Sequence, residues 1–373
     1  MSLRITVPSL ALLLLCAAPL LAAEPVVAPV LSLEERLQEL EARQAELYHT
    51  LAEKKEAGLA THLTERLTFS GLIEIEAGAE KLHLVDGTSV ATSDLAVATV
   101  QLGLGAKVNE SVSGNISVLF EEDASALDVD VATIDLAQGP WSARIGRQYL
   151  PFGVYNSHFI SDPLTLALGE TRETALLAGY SREYFSLSAF VFNGDVDKID
   201  AENHLGDWGA SLVLTPREGI EVGGSFLSDL ADSDAELLSS YESRVGGWSA
   251  FAALKQGPFW ASAEILGALK DFAPADLDAD GDANGDRPLA WNLEVSWALL
   301  EQMELAARYE GSSEFAGQPE RQYGVSASWS PAENVTLALE YLRGTFDQGF
   351  GGDADGNILD KRDLVSAQLA VAF

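Results

Sequence analysis

The sequence predicts an all-β protein: a transmembrane antiparallel β-barrel of about sixteen strands, preceded by a short N-terminal coiled-coil helix. Three observations lead to this prediction. Apolar and polar residues alternate over most of the chain, short connections alternate with long ones, and the last residues, "SAQLAVAF", form a strand with one apolar side. A period of two indicates strands with one apolar face.

The alternation begins at Leu67 and continues to Phe373. One of the clearest segments puts the following residues on one side: Leu289, Trp291, Leu293, Val295, Trp297 and Leu299. The other side of that segment carries Ala290, Asn292, Glu294 and Ser296. A soluble β-sandwich would show the same pattern, with its apolar face turned inward.

The connections favour the barrel over the sandwich. Every second one is tight, and the tight ones are 109–111, 138–140, 181–183, 216–219, 256–258, 301–302 and 331–334. The intervening ones are longer and polar, and they are 80–94, 151–173, 193–207, 229–244, 271–287 and 344–362. Outer-membrane barrels alternate short periplasmic turns with longer external loops, and their strand number is even.

Aromatic residues near the predicted strand ends fit the aromatic girdles of such a barrel. The candidates are Trp141, Trp208, Phe259, Trp260, Tyr323, Trp329 and Tyr341. A closed barrel pairs its last strand with its first, so the strand ending at Phe373 is expected beside the strand that begins at Leu67, with Phe373 facing lipid.

The first 66 residues divide into a leader and a helix. Residues 1–23 carry Arg4, an apolar run and small residues before Glu24, which predicts a secretory signal peptide. Residues 24–66 are predicted to be a periplasmic lead and a helix. Its leucine seam, spaced by three and four residues, is Leu33, Leu37, Leu40, Leu47 and Leu51, interrupted by Gln44. A short coiled coil that makes a homo-oligomer such as a trimer, and a single helix resting on the barrel, both fit this seam.

Composition excludes several classes of protein. The net charge of −34 provides no basic surface for nucleic acid. The one cysteine, Cys16, lies in the predicted leader, so the rest of the chain has no thiol for disulfides, metal binding or catalysis. The histidines form no metalloprotease motif, and no nucleophile elbow or phosphate-binding loop appears, so we expect no enzyme and no cofactor. The expected partners are outer-membrane lipid and a small solute.

The connection at 151–173 is the most individual stretch, because it is apolar for a segment on the external side. We expect it to fold into the lumen and narrow the pore, since such a loop is unfavourable in water. The charged candidates for the constriction are Arg144, Arg147, His158, Asp162, Glu170, Arg172, Glu173 and Arg308. Facing arginines and carboxylates would order charged solutes in the pore; alternatively, they only pin the loop to the wall by ion pairs.

The segment "GRQYLPFGVYNSHFISDPLTLALGETRE", Gly146 to Glu173, together with a leader and a leucine-seam helix, resembles the LbtU family of siderophore porins. The resemblance implies a sixteen-stranded outer-membrane barrel that admits iron-siderophore complexes without the plug of gated receptors. Independently of the resemblance, we expect the chain in the outer membrane with its N-terminal helix in the periplasm. It implies no particular binding residues. A general or organic-solute porin of the same build is the alternative, and a barrel acting mainly as a membrane anchor is a third.

One acidic loop begins like a calcium-binding loop. In "DLDADGDANGDR" the acidic residues Asp276, Asp278, Asp280 and Asp282 alternate with other residues. The twelfth position is Arg287, where a bidentate glutamate is needed. A weak external Ca²⁺ site and a solvated acidic loop are therefore both open.

Overall fold

The computed structural model describes residues 66–122, 125–200, 204–353 and 356–373. The predicted leader and coiled-coil helix lie outside the described residues. Among those residues, no helix is long and apolar enough to cross a membrane.

Sixteen antiparallel strands of the described chain form a closed barrel, which confirms the predicted fold class and strand number. The barrel strands are β1 (Leu67–Leu84), β2 (Ser89–Lys107), β3 (Val112–Glu121), β4 (Ser125–Gln138), β5 (Trp141–Tyr149), β6 (Arg172–Arg182), β7 (Phe185–Phe192), β9 (Asp207–Arg217), β10 (Ile220–Leu227), β12 (Gly247–Gln256), β13 (Phe259–Ala268), β14 (Leu289–Leu300), β15 (Met303–Ser313), β16 (Arg321–Ala332), β17 (Val335–Thr345) and β18 (Leu359–Ala372).

The connections contain the remaining regular elements. Strands β8 (Asp197–Lys198) and β11 (Ser240–Tyr241) pair in parallel as a small separate sheet. The helix α1 spans Leu164–Gly169, and a 3₁₀ turn spans Leu230–Asp232.

The barrel closes between its first and last strands, as the sequence predicts. Strand β18 pairs with β1 over a long register that begins with Leu72 opposite Ala372. Gly71 and Phe373 exchange two backbone hydrogen bonds, of 2.8 and 2.9 Å between N and O. A Cβ at Gly71 would lie 2.4 Å from the ring of Phe373, so a larger residue there would require this ring to move. The Phe373 side chain is 66% exposed.

The side chains are arranged inside out relative to a soluble protein. On β14, Leu293, Val295 and Trp297 are exposed, whereas Asn292 and Glu294 on the other parity are buried. An apolar outer band and a polar interior are the arrangement of a membrane barrel. The predicted alternation is therefore confirmed with its apolar face outward.

Most predicted girdle residues lie on that outer face. The exposed ones are Trp141, Trp208, Phe259, Tyr323 and Trp329. Tyr341 donates its hydroxyl to Asp363 at 2.6 Å. The prediction is wrong for Trp260, which has the parity of the buried Glu264 and packs edge-on against His158 of the 150–171 connection, with ring centroids 4.5 Å apart. Parity, rather than position along the strand, decides its side.

The connections alternate as predicted except at two places on what we call the loop end, where four residues join β1 to β2 and three join β3 to β4. The tight ones, at what we call the turn end, leave at most four residues between strands, and those at the opposite loop end include 150–171, 193–206, 228–246, 269–288 and 346–358. The predicted long loop at 80–94 is wrong, because β1 and β2 continue to a four-residue turn at 85–88. Residues 89–95 are exposed throughout. A strand exposed on both faces has no apolar side, so alternation cannot reveal it.

Candidate functional site

The connection between β5 and β6, residues 150–171, lies inside the barrel, and we call it the inner loop. Its neck is closed by the backbone hydrogen bond from Leu150 to Thr171, 2.8 Å between N and O. Its apolar residues Phe152, Leu164 and Leu168 are at most 4% exposed. They form one buried cluster with inward residues of the wall, which include Phe190, Phe192, Leu227 and Leu266. Burial of apolar area therefore draws this loop inward.

Four glutamates on the wall hold the inner loop. They are Glu264 on β13, Glu294 on β14, Glu310 on β15 and Glu340 on β17, and they are between 0 and 8% exposed. We call strands β13–β17 the docking wall. A buried carboxylate is costly unless donors satisfy its oxygens, so these side chains need partners from the loop.

The backbone of the inner loop supplies those donors. Val154 and Tyr155 donate to Glu264 over N–O distances of 2.7 and 3.1 Å. The other backbone donors are His158 to Glu294 at 2.6 Å, Ile160 and Ser161 to Glu340 at 2.8 and 3.1 Å, and Leu164 to Glu310 at 2.8 Å. Each glutamate thus fixes a different part of the loop, and together they define its path across the lumen.

Arg308 ties the loop to the same wall. Its side chain is fully buried, and Nε lies 3.0 Å from Glu294 and Nη1 3.5 Å from Glu310. Nη1 also donates to the carbonyl oxygens of Ser161 and Asp162 at 2.9 and 3.3 Å. The guanidinium lies 4.3 Å from the ring centroid of Phe159. For Arg308, the geometry matches the alternative that the arginine pins the loop.

His158 is held in the loop by several groups of the docking wall. Its Nδ1 pairs with Glu304, and its Nε2 lies 3.4 Å from Ser296 Oγ. The Ser326 hydroxyl donates to its carbonyl oxygen at 3.1 Å. The ring therefore also serves to position the loop.

The other three arginines are paired with β4, away from the docking wall. Arg144 pairs with Asp135, and Arg147 lies 3.3 Å from Asp128. Arg172 lies 3.1 Å from the nearly fully buried Asp130. The structure thus separates the predicted arginines into one buried residue on β15 and three beside β4.

The predicted acidic residues also separate. Asp162 is exposed near the middle of the inner loop, within electrostatic range of Glu74 and Glu340. The charge of Asp162 also repels that of Glu76, which lies on the same face of β1 as Glu74. Strands β1–β4, whose inward carboxylates are mostly part-exposed, form what we call the open wall. Asp162, Glu74 and Glu76 thus form a group of carboxylates beside the inner loop.

Glu170 and Glu173 lie farther toward the loop end. Burial, followed by repulsion from Asp234 and Asp162, raises the pKa of Glu170 to about 7. Glu173 lines a cavity of about 610 Å³ together with Arg172, Asp195, Asp232 and Asp234. Glu173 thus borders this cavity, and Glu170 lies near Asp234, which also lines it.

The acidic loop at 276–282 does not bring its four aspartates together. Asp276 accepts hydrogen bonds from the backbone of Glu242 and Ser243, at 2.7 and 3.3 Å. Asp282 bonds instead with Asn284. Asp278 and Asp280 gather with Asp286, and one oxygen of each lies within 4.8 Å of the others. The alternation of acidic residues is therefore a poor guide to the carboxylates that meet.

Sequence reasoning missed the glutamates of the docking wall as partners of the loop. Three of them, Glu294, Glu310 and Glu340, lie on the polar parity of predicted strands. The available signal is the recurrence of glutamate on the inward face of β13, β14, β15 and β17. Alternation alone does not distinguish an inward residue that contacts water from one covered by a loop.

No protein-family profile matches the chain. The chain is 26% identical over 328 residues to the UPF0422 protein of Coxiella burnetii, which covers 81% of this chain and 69% of that protein. It is 23% identical over 333 residues to a UPF0422 protein of Legionella pneumophila strain Lens, covering 75% of this chain and 62% of that one. The chain therefore spans less than two thirds of this Legionella relative.

Solved structures show the same fold. The outer membrane channel DcaP of Acinetobacter baumannii superposes with a TM-score of 0.60 at 16% identity, covering 82% of this chain and 97% of that one. The anion-selective porin from Comamonas acidovorans superposes with a TM-score of 0.62 at 12% identity, covering 82% and 99%. OmpF of Salmonella typhi gives 0.58 at 11% identity, covering 82% and 97%. The described barrel thus has the fold of outer-membrane porins.

Proposed function

We propose that the chain is an outer-membrane porin through which small solutes diffuse, with the inner loop as its constriction. The observation that carries this proposal is the seating of the inner loop on four buried glutamates of one wall. Glu74 and Glu76 on the open wall are only part-buried. A loop fixed against one wall narrows a wide barrel and leaves a wet passage beside the other wall.

The outer surface supports the membrane setting. Exposed apolar residues such as Leu293, Val295 and Val325 occupy the outward parity of adjacent strands. This band would contact outer-membrane lipid, with the turn end in the periplasm and the loop end outside the cell. One solved relative in fold, OmpT of Vibrio cholerae, is described in a trimer form. We propose a homo-oligomer for this chain too, with the predicted N-terminal helix as its periplasmic contact.

For the solute, we propose an iron-siderophore complex, on the basis of the resemblance of the inner loop to siderophore porins. The lining of the passage restricts the class further. Asp162 and Glu74 place negative charge beside the loop, and Arg308 is already paired with two glutamates. Like charges repel an entering anion, so a neutral or cationic chelate, such as a trihydroxamate complex of iron, suits this passage.

A general porin of the same build is the second candidate, favoured by the absence of any predicted siderophore-binding residue in the resemblance. Such a channel would discriminate by size and charge alone. It would pass a cationic solute without iron as readily as an iron chelate of equal mass and charge.

The test is uptake by proteoliposomes that carry the refolded protein. We expect a radiolabelled cationic iron-trihydroxamate to enter faster than an uncharged sugar of equal mass, and an anionic iron-catecholate to enter more slowly. A metal-free organic cation of the same mass and charge as the iron chelate distinguishes the two candidates. Entry of that cation and the iron chelate at equal rates would favour the general porin over the siderophore porin. If no solute enters, the protein is not a diffusion channel.

A further inference from the structure

Three buried aspartates meet at the loop end, away from the inner loop's contacts with the docking wall. Asp207 begins β9, Asp229 caps the 3₁₀ turn Leu230–Asp232, and Asp232 is the last residue of that turn. They are 6, 0 and 5% exposed. One carboxylate oxygen of each lies within 4.8 Å of the corresponding oxygens of the other two. Three carboxylates so close and so buried repel one another strongly unless cations neutralise them.

One cation is present, and it serves two of the three. Arg244 Nη1 lies 3.0 Å from Asp207, and its Nε lies 3.4 Å from Asp229 Oδ2. The same guanidinium is shared with the Tyr241 hydroxyl and the Gly206 carbonyl, at 3.1 and 3.2 Å. Arg244 therefore neutralises one of three negative charges, and its Nε and Nη1 are shared among four acceptors.

Asp232 is left with an unsatisfied oxygen. Its Oδ1 accepts from the Val196 backbone at 3.0 Å, whereas its Oδ2 is buried and has no hydrogen-bond partner among the described residues. The Oδ2 of Asp229 has no hydrogen bond either, apart from the long ion pair with Arg244. Buried carboxylate oxygens without donors are rare, and an unoccupied ligand position is one of the few explanations.

We propose that Asp207, Asp229 and Asp232 bind a divalent cation, with Ca²⁺ preferred over Mg²⁺. Carboxylate oxygens are the ligands that Ca²⁺ prefers, and Ca²⁺ accepts an irregular arrangement of them. Mg²⁺ demands a nearly ideal octahedron and usually keeps several waters, so a buried site of three carboxylates suits it less well. Residual negative charge beyond Arg244 supplies the attraction.

The geometry also provides an entry path. Asp232 lines the cavity of about 610 Å³ at the loop end, with Asp195 and Glu173 on its rim. Gly194 lies against the same carboxylate, since a Cβ there would lie 2.3 Å from both Asp232 oxygens. An ion that enters from the cavity and binds Asp232 would join the 193–206 and 228–246 loops.

The test uses the full chain folded in detergent, with Tb³⁺ luminescence excited through tryptophan and displaced by Ca²⁺. Trp208, next to Asp207, is the nearest tryptophan in sequence to the proposed site. The Asp280→Asn substitution is present throughout, because it disables the separate Asp278, Asp280 and Asp286 group. In this background we expect saturable Tb³⁺ binding that Ca²⁺ displaces at lower concentration than Mg²⁺.

Adding Asp232→Asn should weaken binding by at least about tenfold, since it removes a charged ligand. Asp195→Asn is the matched control, because it removes the same charge from the rim of the same cavity without touching the three aspartates. Heat-modifiable gel migration confirms folding, and Asp229→Asn replaces Asp232→Asn if the latter does not fold. The absence of saturable binding, or equal binding by the Asp232 and Asp195 variants, would overturn the proposal.

Discussion

The docking wall and the open wall use the same residue type in opposite ways. Glu264, Glu294, Glu310 and Glu340 on the docking wall are at most 8% exposed and accept the amide protons of the inner loop. Glu74 and Glu76 on the open wall lie on an inward parity that is only part-buried. The covered glutamates act as hydrogen-bond acceptors that fix a loop, and the uncovered ones act as charges.

Burial, rather than residue type, therefore determines the role of each glutamate in the barrel. A carboxylate shielded from water gains most from donors that lie close to it, and its field is largely neutralised by them. A carboxylate in a wet lumen keeps its charge and acts on passing ions. One wall should therefore control the width of the passage, and the other its charge preference.

The largest expected effect comes from removing the loop from the docking wall. Deletion of Asn156–Leu168 should raise single-channel conductance in planar bilayers by about twofold or more, because it takes the constriction out of the lumen. Deletion of 279–284 from the loop-end connection 269–288 is the control, since it leaves the inner loop's hydrogen bonds in place. Equal conductance of the deletion and wild-type channels would mean that the inner loop does not narrow the channel.

The second effect compares two arginines, one from each side. Arg308→Ala should lower the free energy of unfolding by about 3–5 kcal/mol, because it leaves Glu294 and Glu310 buried without their cation. Arg144→Ala breaks a pair whose arginine is 49% exposed, so we expect a loss of about 0–1 kcal/mol. Urea unfolding in lipid measures both, and similar losses for the two variants would show that the docking wall does not depend on Arg308.

The third prediction concerns the charge preference of the open wall. Joint substitution of Glu74→Gln, Glu76→Gln and Asp162→Asn should lower the ratio of cation to anion permeability by about twofold or more, at nearly unchanged conductance. Reversal potentials in a KCl gradient measure the ratio. Glu110→Gln, in the tight connection at 108–111, is the matched control. An unchanged ratio in the triple variant would mean that these residues do not set selectivity.

The smallest effect over a single pH unit belongs to the loop-end aspartates in the absence of divalent ions. Burial, with repulsion from Asp229, Asp207 and Glu173, raises the pKa of Asp232 from 3.8 to about 8 in the folded state. The unfolded chain releases this proton at lower pH, so stability of the wild type falls as pH rises between these two values and then levels off.

Asp232→Asn removes this pH dependence. The free energy of unfolding of the variant should therefore exceed that of the wild type by a difference that grows with pH, by up to about 1.4 kcal/mol per unit, and then becomes constant. Arg244, paired with Asp207 and Asp229, is present in both proteins. Urea unfolding in chelator across this pH range measures the difference. Parallel pH profiles for the two proteins would mean that Asp232 is not held protonated.

Much of the fold could be predicted from the sequence, because a lipid-facing strand shows its outward side as an apolar parity. The strand ending at Phe373 and its pairing with β1 follow from that pattern. The continuation of β1 and β2 to the turn at 85–88 could not be predicted in this way, since residues 89–95 are exposed throughout and show no apolar parity. Trp260 was misplaced because its position near a strand end outweighed its parity.

The site was less predictable. The apolar character of 151–173 correctly placed the loop against the interior, but the partners of its residues depend on contacts between distant strands. Glu340 lies 180 residues from Ile160, and it accepts a hydrogen bond from the backbone amide of Ile160. The alternating aspartates of 276–282 suggested one group, whereas folding places Asp286 with two of them. Pattern along the chain cannot reveal such pairings.

Single-channel recording of the wild-type protein in a KCl gradient tests the central claim most directly, because one experiment reports both width and charge preference. The account predicts discrete open channels whose reversal potential shows preference for K⁺ over Cl⁻, as expected for a loop-narrowed passage lined by Asp162, Glu74 and Glu76. A folded barrel that does not conduct would favour a membrane anchor. Conducting channels that prefer Cl⁻ would contradict the proposed division between the two walls.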